Sequence, residues 1–280
     1  MTEPEDAAPA ATIVLLRERP NGQVEIFMVE RADTMGFAAG MMVFPGGKVD
    51  AEDHLLAADE ALAPGHRALD PVDAAARIAA IRETFEEAGV LLTDGPALAD
   101  AERAELRERV AGGGLAFSAM LREIGHRIDA DLLVPYARWV PPIEVTHRRF
   151  DTHFYLARMP QDSDAVHDGS ENTRSHWITA QEALDLADRG KGALIFPTRR
   201  NLERLALHVS VDALIADARA VAPPYVLPWF AEREDGLHLC IEPGLGYPVT
   251  TEPFRGKLRA GVSNSRSPAP PADPLPPGRG

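Results

Sequence analysis

Apolar and polar positions alternate with two periods along this chain, one typical of strands and one typical of helices. Apolar, β-branched runs at residues 12–16 and 24–29 flank Pro20-Asn21-Gly22, a pattern that predicts a β-hairpin. A third apolar run, at residues 41–44, leads into Pro45-Gly46-Gly47. The glycines there predict a sharp turn at which the backbone can approach a ligand closely.

A helix is predicted at residues 71–88. Asp70 and Pro71 have the positions of an N-cap and a first helical residue, and Gly89 has the position of a C-terminal cap. Between these ends, apolar residues recur at helical spacing on one face, namely Ile78, Ile81 and Phe85. That face is expected to lie against the core.

The rest of the pattern alternates strands and helices. It predicts two helices within residues 97–126, strands at 133–140 and 150–157, a helix that begins at the capping box of Thr179 and Glu182, and a strand at 237–241. This order of elements predicts an α/β fold in which helices cover a sheet.

Composition divides the chain into four parts. Residues 1–10 are predicted to be a disordered N-terminus, and residues 11–215 to form the main domain. Pro223-Pro224 breaks the chain within residues 216–256, which are predicted to form a C-terminal extension. Prolines are frequent in residues 257–280, which are therefore expected to be a disordered tail.

The overall composition, with 45% hydrophobic and 26% charged residues, is that of a globular protein with a sizeable core. The formal net charge of -14 argues against a broad basic surface that grips nucleic acid, and a polyanionic substrate would need bound cations. Cys240 is the single cysteine, which excludes an intrachain disulfide and a thiolate zinc cluster. Without a signal segment or a long apolar run, the sequence predicts a soluble cytoplasmic protein that binds neither nucleic acid nor a membrane.

Three carboxylates crowd one side of the predicted helix. Glu83, Glu86 and Glu87 are three and four positions apart, next to Arg82. Charges of the same sign repel at that spacing, and Mg²⁺ or Mn²⁺ would relieve the repulsion because both ions prefer hard oxygen ligands. The alternative is a solvated acidic helix face, which is common.

The segment Phe44-Pro45-Gly46-Gly47 and the segment from Arg82 to Val90 together resemble the two halves of the Nudix box. The acid of the first half falls on Asp53, with Glu52 one position earlier, and Thr84 occupies an aliphatic position of the pattern. An insertion, at about residues 54–70, separates the two halves. The resemblance implies a Nudix-type α/β/α sandwich with a mixed sheet, a helical insertion and a C-terminal extension.

An interrupted box of this kind resembles the mammalian peroxisomal coenzyme A diphosphatase branch, which carries a similar Arg-Glu-Thr-Phe-Glu-Glu-Ala-Gly segment after an insertion. The segment 31–40 also has the spacing of a coenzyme A signature upstream of the box, in which Arg31 is retained. This resemblance implies hydrolysis of the diphosphate of coenzyme A or acyl-CoA to 3',5'-ADP and (acyl-)phosphopantetheine.

The family resemblance also implies roles for individual residues. Glu86, Glu87 and the carbonyl group of Gly47 would bind Mg²⁺ or Mn²⁺. Glu83 would be either a third ligand or the general base, and Arg82 would pair with a carboxylate and hold it in place. Glu171, in a loop before a predicted strand, is where many members place a further catalytic acid, although an ordinary loop acid is an equal alternative.

Arginines supply the candidates for substrate binding, namely Arg31 of the coenzyme A signature together with Arg148 and Arg149. Arg148 and Arg149 are expected to contact phosphate, because the forked guanidinium matches its oxygen atoms. His147 and His153 nearby are weaker candidates for a base or a metal ligand, since no recognisable nucleophile accompanies them.

Several functions remain open at this stage. The substrate is expected to be a small nucleoside diphosphate derivative, and nucleotide sugars, dinucleotides or damaged nucleoside triphosphates are alternatives to coenzyme A. A catalytically silent Nudix fold that senses a ligand is another, although such a protein would be expected to lose the helix glutamates. Family members are often dimers, so a homodimer is possible.

Overall fold

The computed structural model describes residues 7–31, 40–145, 149–160, 165 and 172–256. Its strands are, in chain order, β1 (Ala8–Glu18), β2 (Val24–Arg31), β3 (Met42–Val43), β4 (Gly46–Lys48), β5 (Val134–Trp139), β6 (Phe150–Arg158), β7 (Asn172–Ile178), β8 (Tyr225–Val226), β9 (Trp229–Arg233), β10 (Gly236–Cys240) and β11 (Thr251–Pro253). Its α-helices are α1 (Ala51–Ala57), α2 (Pro71–Ala88), α3 (Asp100–Ala111), α4 (Phe117–Ile124), α5 (Ala180–Asp188), α6 (Phe196–Leu205) and α7 (Val211–Ala220).

The main sheet is mixed. Its strands follow the order β3-β2-β1-β6-β5-β8, with β4 paired to β1 and β7 paired to β2. The β1–β6 and β5–β8 pairs are parallel and the other pairs are antiparallel. Strands β9, β10 and β11 form a separate antiparallel sheet.

Helices cover both faces of the main sheet, because strand β1 is apolar on both sides. Ile13 and Leu15 belong to the hydrophobic cluster that contains α2, α3 and α4. Val14 and Leu16, which point the opposite way, belong to the cluster that contains α5, α6, α7 and the small sheet. The predicted α/β/α sandwich with a mixed sheet is therefore confirmed.

Local signals set both ends of α2. The Asp70 side chain accepts hydrogen bonds from the backbone amides of Val72 and Asp73, and Pro71 follows at the first helical position. At the other end, Gly89 has a φ of 69° and donates its amide to the carbonyl group of Phe85. The helix has the predicted bounds, 71–88.

The structure differs from the sequence prediction at the start of the chain and at the glycine turn. Strand β1 begins at Ala8 and pairs with β6 from that residue onward, so residues 8–10 are ordered rather than part of a disordered N-terminus. Gly46 and Gly47 are in strand β4, where Gly47 is paired with Ala11. Thus the turn segment continues as a strand of the main sheet.

The predicted domain boundary at 215/216 falls inside α7. Residues on both sides of it pack into one cluster, which includes Leu214, Ala218 and Tyr247. The Trp139 indole donates to the Tyr247 hydroxyl at 2.9 Å, which donates in turn to Asn201 at 3.1 Å. Residues 216–256 therefore share the core of the main domain.

The predicted insertion, residues 54–70, contains most of α1, a series of turns and a short 3₁₀ helix, His66–Ala68. Leu56, Ala57 and Leu62 of this segment belong to the cluster around α2, so that the insertion packs against the helix. The residues of the predicted tail, 257–280, lie outside the described part of the chain. None of the described helices has the length and apolar character required to span a membrane.

Candidate active site

Arg82 is at the centre of a cluster of carboxylates at the C-terminal end of α2. Its Nε and Nη2 atoms donate to both oxygens of Asp53, at 3.0 and 2.9 Å, in the forked geometry that arginine and carboxylate share. The same Nη2 atom donates to the backbone carbonyl of Lys48 at 3.0 Å. Arg82 thereby joins α2 to α1 and to strand β4.

Further carboxylates contact the same guanidinium. Its Nη1 atom is 2.9 Å from Glu83 Oε1 and 3.4 Å from Glu86 Oε1, and its Nη2 atom is 3.6 Å from Asp50 Oδ2. Burial alone would lower the pKa of Arg82, but the hydrogen bond to Asp53 and the charges of Glu83 and Glu86 raise it above its ordinary value. Four carboxylates around one guanidinium leave an excess of negative charge.

Burial, together with this excess of negative charge, makes Glu83 and Glu86 weaker acids. Burial raises the pKa of Glu83 to about 7, an effect that Arg82 opposes and the charge of Glu86 reinforces. Burial also raises the pKa of Glu86, against the opposing charge of Arg82. A cation beside these side chains would offset the repulsion and favour their ionised forms.

Strand β4 lies directly against the glutamates. Glu87 Oε2 accepts a hydrogen bond from the backbone amide of Gly46 at 3.1 Å. A Cβ atom on Gly47 would lie 2.6 Å from Glu83 Oε2 and closer still to its Cδ and Oε1 atoms. A side chain at position 47 would therefore displace the Glu83 carboxylate, which the backbone approaches closely here.

The donor set fits a divalent cation. Glu83, Glu86 and Glu87 have carboxylate oxygens, and Gly47, whose backbone lies against Glu83, has a carbonyl oxygen; Mg²⁺ and Mn²⁺ prefer oxygen ligands of these kinds. In the structure, Glu83 and Glu86 pair with Arg82. Within the described residues, no three acidic, histidine or cysteine side chains are arranged so that they could already hold a metal ion. The residues fit a divalent cation because their oxygen atoms are suitable ligands, lie near one another and carry an excess of negative charge.

Comparison with known proteins identifies the family. The model of the NUDT19 Nudix domain matches residues 58–205, more than half of the 280 residues. The chain belongs to the Nudix hydrolase family. The matched region contains α2, whereas Gly47 and Asp53 precede it.

Related Nudix proteins agree with this assignment. The chain is 26% identical over 260 residues to an acyl-coenzyme A diphosphatase NUDT19 of Xenopus laevis, covering 76% of this chain and 68% of the relative. It is 32% identical over 212 residues to the Gallus gallus protein of the same name, covering 58% of this chain and 55% of the relative. A crystal structure of a Nudix hydrolase from Alicyclobacillus acidocaldarius is 30% identical, with a TM-score of 0.67, and covers 75% of this chain and 96% of that chain.

The two candidates for the first acid of the Nudix box have different surroundings. Asp53 is 1% exposed, accepts the backbone amide of Asp50 and holds Arg82. Glu52 is exposed and accepts a hydrogen bond from the Ser118 hydroxyl. Asp53 is therefore the residue that connects the first half of the box to the second.

We expect Asp53→Asn to lower the free energy of unfolding by about 2 kcal/mol, because it removes the charge that compensates the buried guanidinium of Arg82. Glu52→Gln, the control at the neighbouring position, is expected to stay within about 0.5 kcal/mol of the wild type, since Glu52 is exposed. Urea unfolding of both variants measures the difference. Equal stabilities would show that the Asp53 contact does not have this structural role.

The arginines predicted to bind substrate lie at two places. Arg31 ends β2, and its Nε atom is buried without a hydrogen-bond partner among the described residues. Arg149 precedes β6 and donates from Nε to the carbonyl group of Pro141. Arg148 lies outside the described residues, as does Glu171, the further acid predicted from the resemblance.

His153, a weaker candidate for a base, is part of a buried network at the opposite end of α2. Its Nδ1 atom is 3.8 Å from Asp73 Oδ1, to which the Tyr155 hydroxyl donates at 2.7 Å. Asp73 also pairs with Arg77 at 2.9 Å. This network joins the first turn of α2 to β6, while the glutamates occupy the last turns of the helix.

Sequence reasoning missed two contacts that organise the Nudix glutamates. The carbonyl group of Lys48 accepts a hydrogen bond from Arg82, and Arg107 of α3 donates to the carbonyl groups of Glu86 and Glu87. Both contacts involve backbone groups of residues distant in sequence. A pattern of side-chain types carries no signal for them.

Proposed function

We propose that this Nudix protein is a metal-dependent hydrolase that cleaves a phosphoric anhydride bond in a nucleoside diphosphate-linked substrate. The observation that carries the proposal is the pairing of Glu83 and Glu86 with Arg82, together with Glu87 on the amide of Gly46 and the close backbone approach of Gly47 to Glu83. Partly buried carboxylates in excess over cations form a site that a divalent ion completes.

Each residue of the group has a proposed role. Glu86, Glu87 and the Gly47 carbonyl bind Mg²⁺ or Mn²⁺, and Glu83 is either a third ligand or the group that accepts the proton of the attacking water. A bound divalent ion would supply charge neutralisation on the phosphoryl oxygens and a water of lowered pKa. Arg82 stays paired with Asp53 and thereby fixes the direction of the carboxylates, without touching the substrate.

The proposed substrate is coenzyme A or an acyl-CoA, cleaved to 3',5'-ADP and (acyl-)phosphopantetheine. Two relatives that carry the name acyl-coenzyme A diphosphatase support this choice, at 26% and 32% identity. The chain spans only 68% and 55% of their lengths, so their activity is carried over as a proposal. Arg31, Arg148 and Arg149 are proposed to bind the substrate, and Glu171 is proposed to be the further catalytic acid that approaches the metal.

Nucleotide sugars, dinucleotides and damaged nucleoside triphosphates are the alternative substrates. A silent ligand sensor is the alternative without catalysis. The retained carboxylates favour an enzyme over a sensor, because a sensor has no need of three neighbouring carboxylates that repel one another without a cation.

A panel of substrates tests the proposal. Purified protein is incubated with coenzyme A, acetyl-CoA, NADH, ADP-ribose, UDP-glucose and 8-oxo-dGTP, each with Mg²⁺, with Mn²⁺ or with EDTA, and products are separated by chromatography. We expect 3',5'-ADP from coenzyme A or acetyl-CoA, and no product in EDTA. If another compound is turned over faster, that compound would replace coenzyme A and acyl-CoA as the proposed substrate. The absence of metal-dependent cleavage across the panel would contradict the proposed hydrolase.

A further inference from the structure

The C-terminal end of α2 has an unfavourable distribution of charge. The backbone dipoles of a helix place partial negative charge at this end, where cations stabilise and anions destabilise. The last turn of α2 contains no basic residue, while Glu83, Glu86 and Glu87 all lie in its final two turns. Arg82, one turn earlier in the helix, is already paired with Asp53, Glu83 and Glu86, so the last turn depends on positive charge from outside the helix.

Arg107 of α3 supplies that charge at the end of the helix. Its Nε atom donates to the Glu86 carbonyl at 2.9 Å and its Nη2 atom donates to the Glu87 carbonyl at 2.6 Å. Neither carbonyl has a donor within α2, because the residues four positions later lie beyond the end of the helix. One guanidinium thus satisfies two of the terminal carbonyl groups.

Gly89 makes room for this contact. It adopts the left-handed conformation that ends the helix, and a Cβ atom there would lie 3.2 Å from Arg107 Nη1 and 3.5 Å from its Cδ atom. The glycine that closes the Nudix box therefore serves the turn of the backbone and the approach of Arg107 together.

The helix that carries Arg107 is fixed to the same core as α2. Leu106 and Val110 of α3 are buried in the cluster that contains Phe85. Phe85 in turn contacts Phe117 of α4, with ring centroids 6.2 Å apart. The contact from α3 to the end of α2 is thus made between two helices packed into the same core.

We propose that Arg107 is a positioning residue, which holds the backbone of Glu86 and Glu87 so that their carboxylates are set for metal binding. The contacted carbonyls belong to the same two residues whose side chains are the proposed metal ligands, so movement of this backbone moves both ligands. The inference rests on the proposed function for the metal, and gives the helix pair α3–α4 a role in the site.

Arg107→Met is the test, because Met keeps most of the apolar stem and removes the donors. Amide hydrogen exchange at Gly89 and the last turn of α2 is expected to become about tenfold faster, as the loss of charged hydrogen bonds to this end implies. In the absence of substrate, the dissociation constant for Mn²⁺, followed from the free-ion electron paramagnetic resonance signal, is expected to rise by about the same factor. Arg107→Lys, which keeps the charge, is expected to recover part of both losses.

Arg109→Met is the matched control on the same helix. Arg109 pairs with Glu123 of α4 at 3.2 Å on the exposed side, so this variant removes an arginine from α3 at a contact that joins α3 to α4. We expect wild-type exchange and wild-type Mn²⁺ affinity. If Arg107→Met matches this control in either measurement while the wild type binds Mn²⁺ and cleaves substrate, the inference is overturned and the proposed function stands. A wild type that neither binds Mn²⁺ nor cleaves substrate would overturn both.

Discussion

Glu87→Gln is expected to lower kcat by at least about a hundredfold with either metal, since the loss of one fixed charged group at the reacting centre has effects of this order. Glutamine has the same shape and can still accept the hydrogen bond that the Gly46 amide donates to Glu87. It lacks the negative charge that a hard divalent cation requires. The substitution therefore separates metal binding from the local structure.

Steady-state kinetics on the substrate selected by the panel, together with Mn²⁺ titration, measures the effect. Glu123→Gln is the control, because Glu123 forms an exposed ion pair with Arg109 and should leave kcat unchanged. The melting temperature of Glu87→Gln is expected to stay close to that of the metal-free wild type. Near-normal turnover in Glu87→Gln would refute its assignment as a ligand.

The part of the fold that could be predicted from sequence is the part that local signals set. Helix α2 has its predicted bounds because Asp70, Pro71 and Gly89 act within one turn of each end. Strand β4 was predicted only as a turn, since two of its three residues are glycines and its strand geometry depends on pairing with β1. The spacing of apolar residues along the sequence does not show which strands pair with each other.

The predicted boundary at 215/216 does not coincide with a break in packing, for a similar reason. The prolines after α7 change the local composition, and composition suggested a separate extension. The packing of Trp139 against Tyr247, 108 positions apart, joins that extension to the core. Contacts over such separations are tertiary, and a single sequence does not record them.

In the candidate site, too, sequence predicts what local helix geometry sets and does not predict what tertiary contacts set. Glu83, Glu86 and Glu87 could be grouped from sequence because helix geometry alone puts them on one side. The carboxylate that pairs with Arg82 could not be named, because the spacing from Gly47 points to Asp53 while Glu52 lies only one position earlier. The structure separates them by burial, with Asp53 inside and Glu52 at the surface.

Gly47→Ala is the second substitution for which we expect a large effect, a fall in kcat of about a hundredfold with little loss of stability. Gly47 has no positive φ, so alanine is compatible with its backbone conformation. The added Cβ atom would lie 2.6 Å from Glu83 Oε2, and the carboxylate must move by about 1 Å to restore an ordinary contact. The end of a flexible side chain moves at small energetic cost, but a displacement of this size at the reacting centre is expensive for catalysis.

Gly114→Ala is the matched control for this substitution. Gly114 also has no positive φ, and a Cβ atom there would lie 3.5 Å from the carbonyl oxygen of Arg109, an ordinary contact. We expect Gly114→Ala to keep wild-type kcat, and both alanine variants to keep melting temperatures near that of the wild type.

A double-variant cycle with Glu83→Gln identifies the atoms through which Gly47→Ala acts. Both substitutions act on the Glu83 carboxylate, one by displacing it and the other by removing its charge. Their effects on kcat should therefore be far from additive, with the double variant close to Glu83→Gln alone. Additive effects on kcat would mean that Gly47→Ala acts through the backbone of strand β4. They would show that displacement of the Glu83 carboxylate is not the cause of the loss.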